Sequence, residues 1–172
     1  MDATMRIRQA EPADAAAIRA LVDAAYAKWV PLIGRLPTPM QADYAQAVRH
    51  HRFDLLQSGE ELAGLIETVR RDDDGNAHLL IVNVAVHPHY QGRGFGPQLL
   101  ARAETRAAAA GLKRLRLYTN KKYTANLRLY AALGYRVERE EPYDGPGRTL
   151  DDDITVHMVK MMAPDPQEGP RA

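Results

Sequence analysis

The chain has no cysteine in its 172 residues, and only one tryptophan and two phenylalanines. Without cysteine there is no disulfide, no zinc–thiolate site and no Cys nucleophile, and no metal site is expected. Net charge is nearly absent as well: 23 basic residues face 22 acidic ones, leaving +1. Charges so balanced and so evenly spread leave no electrostatic footprint for nucleic acid. Long apolar runs are missing too. The start, Met1-Asp2-Ala3-Thr4-Met5-Arg6, carries no apolar signal region, and nothing approaches membrane-spanning length. These absences describe a cytoplasmic protein with neither a nucleic-acid nor a membrane partner. The length suits one domain with a sizeable core.

What is present alternates strand and helix. Met5–Gln9 reads as a short strand. Ile18, Leu21, Val22, Ala25, Tyr26 and Trp29 recur at helical spacing, so a helix is expected over about Ala13–Trp29. Three prolines and Gly34 make Pro31–Met40 a loop. A second helix is expected over Gln41–His50. Phe53–Leu56 and Leu62–Val69 read as strands joined at Ser58-Gly59-Glu60, and a charged connection leads to Leu79–Val86. That last run is apolar except at Asn83, which marks a central strand covered on both faces. An Ala/Leu-rich helix then ends at Gly111, Arg114–Thr119 alternates as a strand, and Thr124–Leu133 is a helix closed by Gly134. Strands at Tyr135–Glu140 and Ile154–Met161 finish the fold. The class is α/β: a mixed, mostly antiparallel sheet of about seven strands flanked by four helices. A single domain over 1–162 is expected, with a disordered tail over 163–172.

The most informative stretch is Val84-Ala85-Val86-His87-Pro88-His89-Tyr90-Gln91-Gly92-Arg93-Gly94-Phe95-Gly96, an apolar strand running through a glycine loop into a helix. Glycines at alternate positions let the backbone approach a ligand where a Cβ would block it. The helix start offers unpaired N–H groups and partial positive charge, which suits a pyrophosphate. A P-loop would need Gly-Lys-Ser/Thr after the loop, but Gly96 is followed by Pro97-Gln98. A dinucleotide fold would need G-x-G-x-x-G near its first strand, but the spacing here is G-x-G-x-G, deep in the chain.

Gln91-Gly92-Arg93-Gly94-Phe95-Gly96 fits Q/R-x-x-G-x-G/A and resembles the pyrophosphate loop of the GNAT superfamily of N-acetyltransferases. Ile7-Arg8-Gln9-Ala10 with Asp14 resembles that family's opening strand and helix, and Val84–Pro88 its splayed central strand. Asn126-Leu127-Arg128-Leu129-Tyr130-Ala131-Ala132-Leu133-Gly134-Tyr135 resembles its N…LY…LGY helix. The similarity covers about Met5 to Met161. It implies a splayed parallel pair, Val84–Val86 against Arg114–Thr119, whose freed backbone groups take the pantetheine arm of acetyl-CoA. Val84, Ala85 and Val86 would line the arm and Asn126 would bond to it. Gln91, Gly92, Arg93, Gly94, Phe95 and Gly96 would take the pyrophosphate, with Arg93 adding charge at the rim. Pro97 stands where Lys, Arg or Ser is commoner, and removes one N–H.

The resemblance implies amine attack on a thioester. An alkyl ammonium with a pKa near 10.4 needs a base, and a departing thiolate near 8.5 is helped by an acid. Tyr130 matches the family's helix tyrosine and takes the acid role. The family's strand glutamate has no counterpart in Leu79–Val86 or Leu115–Leu117, so Glu67, on the preceding strand, is the first candidate base, acting through water. Tyr26, Trp29, Arg35, Tyr44 and Asn83 are the candidate acceptor residues. Arginine holds a carboxylate bidentately, which favours an amino-acid-like acceptor. Asp151-Asp152-Asp153 argues the other way, towards a cation. With no cysteine, and Ser58 in a turn, direct transfer is expected. A protein N-terminal or lysine acetyltransferase, and a non-catalytic acyl-CoA-binding regulatory module, remain the alternatives. A homodimer is a further expectation.

Overall fold

A computed structural model describes residues 4–73, 75–148 and 150–163. Seven strands form one sheet: β1 (Met5–Gln9), β2 (Arg52–Ser58), β3 (Glu61–Arg71), β4 (His78–Val86), β5 (Arg114–Asn120), β6 (Arg136–Pro142) and β7 (Ile154–Met161). Their spatial order is β1-β2-β3-β4-β5-β7-β6. Every neighbouring pair is antiparallel except β4 and β5. The helices are α1 (Ala15–Tyr26), α2 (Val30–Ile33), α3 (Thr38–Gln41), α4 (Tyr44–His50), α5 (Phe95–Ala109) and α6 (Thr124–Ala132).

Two cores follow from the alternation of strand side chains. On one face Phe53, Leu55 and Leu65 pack against Ile18, Leu21, Val22 and Ala25, the apolar stripe of α1. On the other, Leu56, Ile66, Ile81 and Leu115 pack against Leu99, Leu100, Ala103 and Ala107 of α5. Covered on both sides, β4 is the central strand that its apolar sequence requires.

The first helix differs from its sequence reading. It ends at Tyr26, tightens into a 3-10 turn over Ala27–Trp29 and resumes as α2. Pro31 sits in the first turn of α2, where its missing N–H costs nothing, and Gly34 closes α2 at φ 72°. The expected loop Pro31–Met40 therefore contains most of α2 and most of α3. The second helix starts later than expected, at Tyr44, because Asp43 caps it by accepting from the Gln46 N–H at 3.2 Å. The expected disordered tail falls, beyond Ala163, outside the described residues.

The sheet opens where the sequence suggests. β4 and β5 pair at Leu79–Leu115, Leu80–Arg116 and Ile81–Leu117, and their pairing goes no further. Beyond Ile81 the β5 side of β4 needs other partners for its backbone groups. On its other side β4 is still paired with β3, but a bulge interrupts the register: Glu67 faces Asn83 while Thr68 faces Ile81, leaving Val82 as the extra residue. Bulges bend a strand and re-aim side chains. This one lies where the sheet splits.

Candidate active site

Two cavities meet in the opened sheet. The larger spans about 1210 Å³, space open to solvent included, between the 3-10 turn after α1, the end of β4 and the loop into α5. The smaller, about 620 Å³, lies between β4, β5 and the α2–α3 segment. Tyr26, Val84, Asn126 and Tyr130 line both, and so form a neck between them.

The larger cavity is a groove built for an extended anionic ligand. Val84, Ala85 and Val86 form one wall, and the glycine loop forms its end. Gly92 and Gly94 have φ values of 77° and 82°, and a Cβ on either would meet no protein atom within 4 Å. The conformation asks for glycine and the space beyond it is open. Gly94 precedes the first helical residue of α5, so the N–H groups of Phe95 and Gly96 have no intrahelical acceptor and are free for an anion. The side chain of Gln91 folds back and donates to the Val86 carbonyl at 3.0 Å. Arg93 sits at the edge of the groove: its guanidinium carbon lies 5.4 Å from the centre of the ring of Tyr90, which lines the groove, while Arg93 itself does not.

Tyr130 projects from α6 into the neck. It is 6 % exposed, and burial pushes its hydroxyl up to about 12, so the phenol keeps its proton across the neutral range. Tyr26, from the last turn of α1, donates its single proton to Asn83 Oδ1 at 2.8 Å, with Val84 O at 3.2 Å. Asn83 is 4 % exposed and spends its amide as well, Nδ2 reaching Tyr44 Oη at 3.3 Å. Tyr44 in turn donates to Pro39 O at 2.6 Å. A buried amide needs partners, and these two tyrosines supply them. Asn83 thus ties α1, α3 and α4 to the bulged strand.

Glu67 is not on the neck. It lines a third cavity, of about 720 Å³, which shares Thr38, Pro39, Val82, Asn83 and Tyr118 with the smaller one. The carboxyl is 3 % exposed, and His51 Nδ1 lies 2.6 Å from Oε1. Burial raises the carboxyl above the usual glutamate range, and the bond and charge of His51 only partly oppose that. His51 escaped the sequence reading because only the β2–β3 register brings it to Glu67.

Arg35 is not the free clamp that the sequence suggested. Its Nε and Nη2 donate to the two carboxylate oxygens of Asp153 at 2.6 and 3.2 Å, and its guanidinium stacks on Tyr143 at 3.4 Å. Asn120 donates to the same Asp153 at 2.8 Å. Arg35 still lines the smaller cavity, as a neutralised wall. The same pairing removes Asp153 from the acidic run. Trp29 lines the larger groove, where it stacks on Tyr123 at 4.4 Å, and Tyr44 lines the third cavity.

The profile of the Acetyltransferase (GNAT) family matches residues 18–135. This chain is a member of that family. The splayed β4–β5 pair and the glycine loop both lie within the matched residues. The L-amino acid N-acyltransferase MnaT of Escherichia coli K12 is 35 % identical over 83 residues, which are 47 % of this chain and 48 % of MnaT. The match thus spans about half of each protein. Among solved structures, the fold is shared with the ribosomal-protein-S18-alanine N-acetyltransferase of Escherichia coli, at a TM-score of 0.75, 20 % identity and 98 % and 100 % coverage of the two chains. It is shared too with yncA of Salmonella typhimurium, solved with acetyl-CoA, at a TM-score of 0.70, 23 % identity and 98 % and 99 % coverage. Among the described residues no group of three or more His, Asp or Glu side chains is placed to hold a metal ion. No described helix is long and apolar enough to cross a membrane.

Proposed function

We propose that this GNAT protein transfers the acetyl group of acetyl-CoA directly to the primary amine of a small molecule, with an amino-acid-like acceptor as the first candidate. The observation that carries the reading is the neck. A groove fitted to an anionic, extended ligand meets a second chamber at one buried, protonated tyrosine. Acetyl-CoA fits the groove on its own terms: free helix N–H groups for the pyrophosphate, an open glycine cradle, and a strand edge released from β5 for the pantetheine amides. Bound there, it supplies an activated acyl group and a thiolate leaving group.

The chain's residues then divide the work. Val84 and Val86 offer backbone groups to the pantetheine arm, and Asn126 adds a side-chain amide. The acceptor sits in the smaller chamber. No carboxylate lines that chamber among the described residues, which suits a small amine better than a polycation. The similarity to an L-amino acid N-acyltransferase points to the same class. Glu67, held by His51, takes the ammonium proton through water around the shared walls at Asn83 and Tyr118. The freed amine would attack the thioester carbon, the C–N bond forming as the C–S bond breaks, with the second nitrogen proton released to water. Tyr130 hydrogen-bonds the departing sulfur. With its hydroxyl near 12 and a thiolate near 8.5, complete proton transfer would be uphill by roughly 3.5 pH units, or about 5 kcal/mol. Tyr130 therefore acts by hydrogen bonding as charge develops, with the proton supplied finally by water.

The test is thiol release from acetyl-CoA across amino acids, polyamines, aminoglycosides and N-terminal peptides. An amino-acid hit is expected, with turnover falling ~10²-fold in Tyr130→Phe, the low end for acid catalysis. A hit confined to peptides would transfer the assignment to protein acetylation. Silence across the panel with CoA still bound would favour a regulatory acyl-CoA-binding module.

A further inference from the structure

The groove proposed for acetyl-CoA is walled almost wholly by neutral groups. Among the described residues, Lys28 is the one charged side chain that lines it. Lys28 belongs to the 3-10 turn Ala27–Trp29, on the bank opposite the glycine loop. Its Nζ lies 3.3 Å from Gln91 Oε1, so the ammonium already reaches across to the first residue of the loop. It also sits 4.7 Å above the Trp29 ring, which stacks on Tyr123.

We propose that Lys28 is a phosphate ligand, clamping the phosphorylated end of CoA from the bank facing the glycine loop. The inference rests on the acetyl-CoA reading above. Three features of the chain call for such a group. Arg93, the cation within the loop, is held against Tyr90 at the edge of the groove and does not line it. Pro97, the third residue of α5, brings no N–H to the helix terminus. The remaining loop donors are neutral amides, whereas CoA carries a diphosphate and a further phosphate on its ribose. An ammonium offers three donors and a full charge, and a charge-assisted bond is about twice as strong as a neutral one. A phosphate oxygen replaces Gln91 Oε1 on Lys28, and Gln91 keeps its bond to the Val86 carbonyl. The 3-10 turn Ala27–Trp29 carries Lys28 on the wall of the groove.

The experiment is calorimetric titration of the full chain with CoA, dephospho-CoA and pantetheine, using wild type, Lys28→Met and Lys28→Arg. Lys28→Met should weaken CoA binding about tenfold at low salt, and the gap should close at about 0.5 M salt as the charge is screened. Lys28→Arg should restore most of the affinity. Pantetheine, which has no phosphate, should bind wild type and Lys28→Met alike. A penalty that persists with dephospho-CoA places Lys28 on the diphosphate, and a penalty that vanishes places it on the ribose phosphate. Equal CoA affinity of wild type and Lys28→Met at low salt overturns the proposal, as does a parallel loss for pantetheine. If wild type binds no CoA at all, the cofactor reading itself falls, and the proposal with it.

Discussion

Removing the imidazole of His51 should move the pH dependence of catalysis without touching either chamber of the neck. Glu67 is almost fully buried, and burial raises its carboxyl above the usual range. His51 works against that through a bond of 2.6 Å. A carboxylate only accepts, so the ring nitrogen that faces it carries the hydrogen. A hydrogen bond to a charged group contributes about 1.5–3 kcal/mol, or roughly 1–2 pH units at 1.36 kcal/mol per unit. The base works when ionised, so the acid limb of kcat/KM should lie above the ordinary glutamate range in wild type. It should climb by a further 1–2 units, roughly, in His51→Ala. His51→Asn, whose amide nitrogen takes the place of Nδ1, should bring the limb back most of the way. Stability has a defined sign as well. A carboxyl whose folded pKa is raised favours the folded state at low pH, and that contribution is lost as pH rises through the folded value. His51→Ala should therefore destabilise the protein more at neutral pH than at pH 4. The assay is a pH–rate profile from pH 5 to 9, with thermal melts at pH 4 and pH 7. An acid limb unmoved in His51→Ala, or wild-type rates in Glu67→Gln, would refute the assignment of the base.

Two more perturbations test the framework around the site. Gly94→Val should abolish CoA binding, because its side chain would fill the open cradle. Its positive φ should cost the fold about 1–2 kcal/mol, so the protein should melt a few degrees lower yet stay folded; unchanged affinity would remove the loop from the cofactor site. Asp153→Asn leaves the Arg35 charge buried with half its partner gone, a loss of about 3–5 kcal/mol for a broken buried pair. At 2–4 °C per kcal/mol for a chain of this size, that is roughly a 10 °C drop in Tm; a shift below about 2 °C would mean that the charge is solvated.

Much of the fold is legible in local patterning. The strand Ile154–Met161, the end of the long helix at Gly111 and the opening of the sheet beyond Ile81 all follow from alternation, helix-stop signals or motif resemblance. What escapes is tertiary. Arg35 and Asp153 lie 118 positions apart, and an isolated arginine in a proline-rich segment looks as free as any other. His51 meets Glu67 only through the β2–β3 register, and a histidine ahead of a strand carries no sign of it. The break after Tyr26 is hidden by the apolar spacing itself, since Trp29 falls on the helical period even though the backbone tightens there. Arg93 shows the same limit from inside a recognised motif. The loop's backbone is predictable from its glycines, while the direction of its one charged side chain is set by a nearby aromatic ring.

The neck formed by Tyr26, Val84, Asn126 and Tyr130 has a consequence for inhibition. Because the two chambers meet there, a compound joining an acceptor amine to the sulfur of CoA through a two-carbon bridge would thread both. The second half would then bind at the effective concentration set by the tether, and the gain over either fragment alone can reach 10²–10⁴. The bridge has to be short and slim, because the walls that it passes are a buried phenol and a strand backbone. Tether length therefore becomes a ruler for the distance between the two chambers.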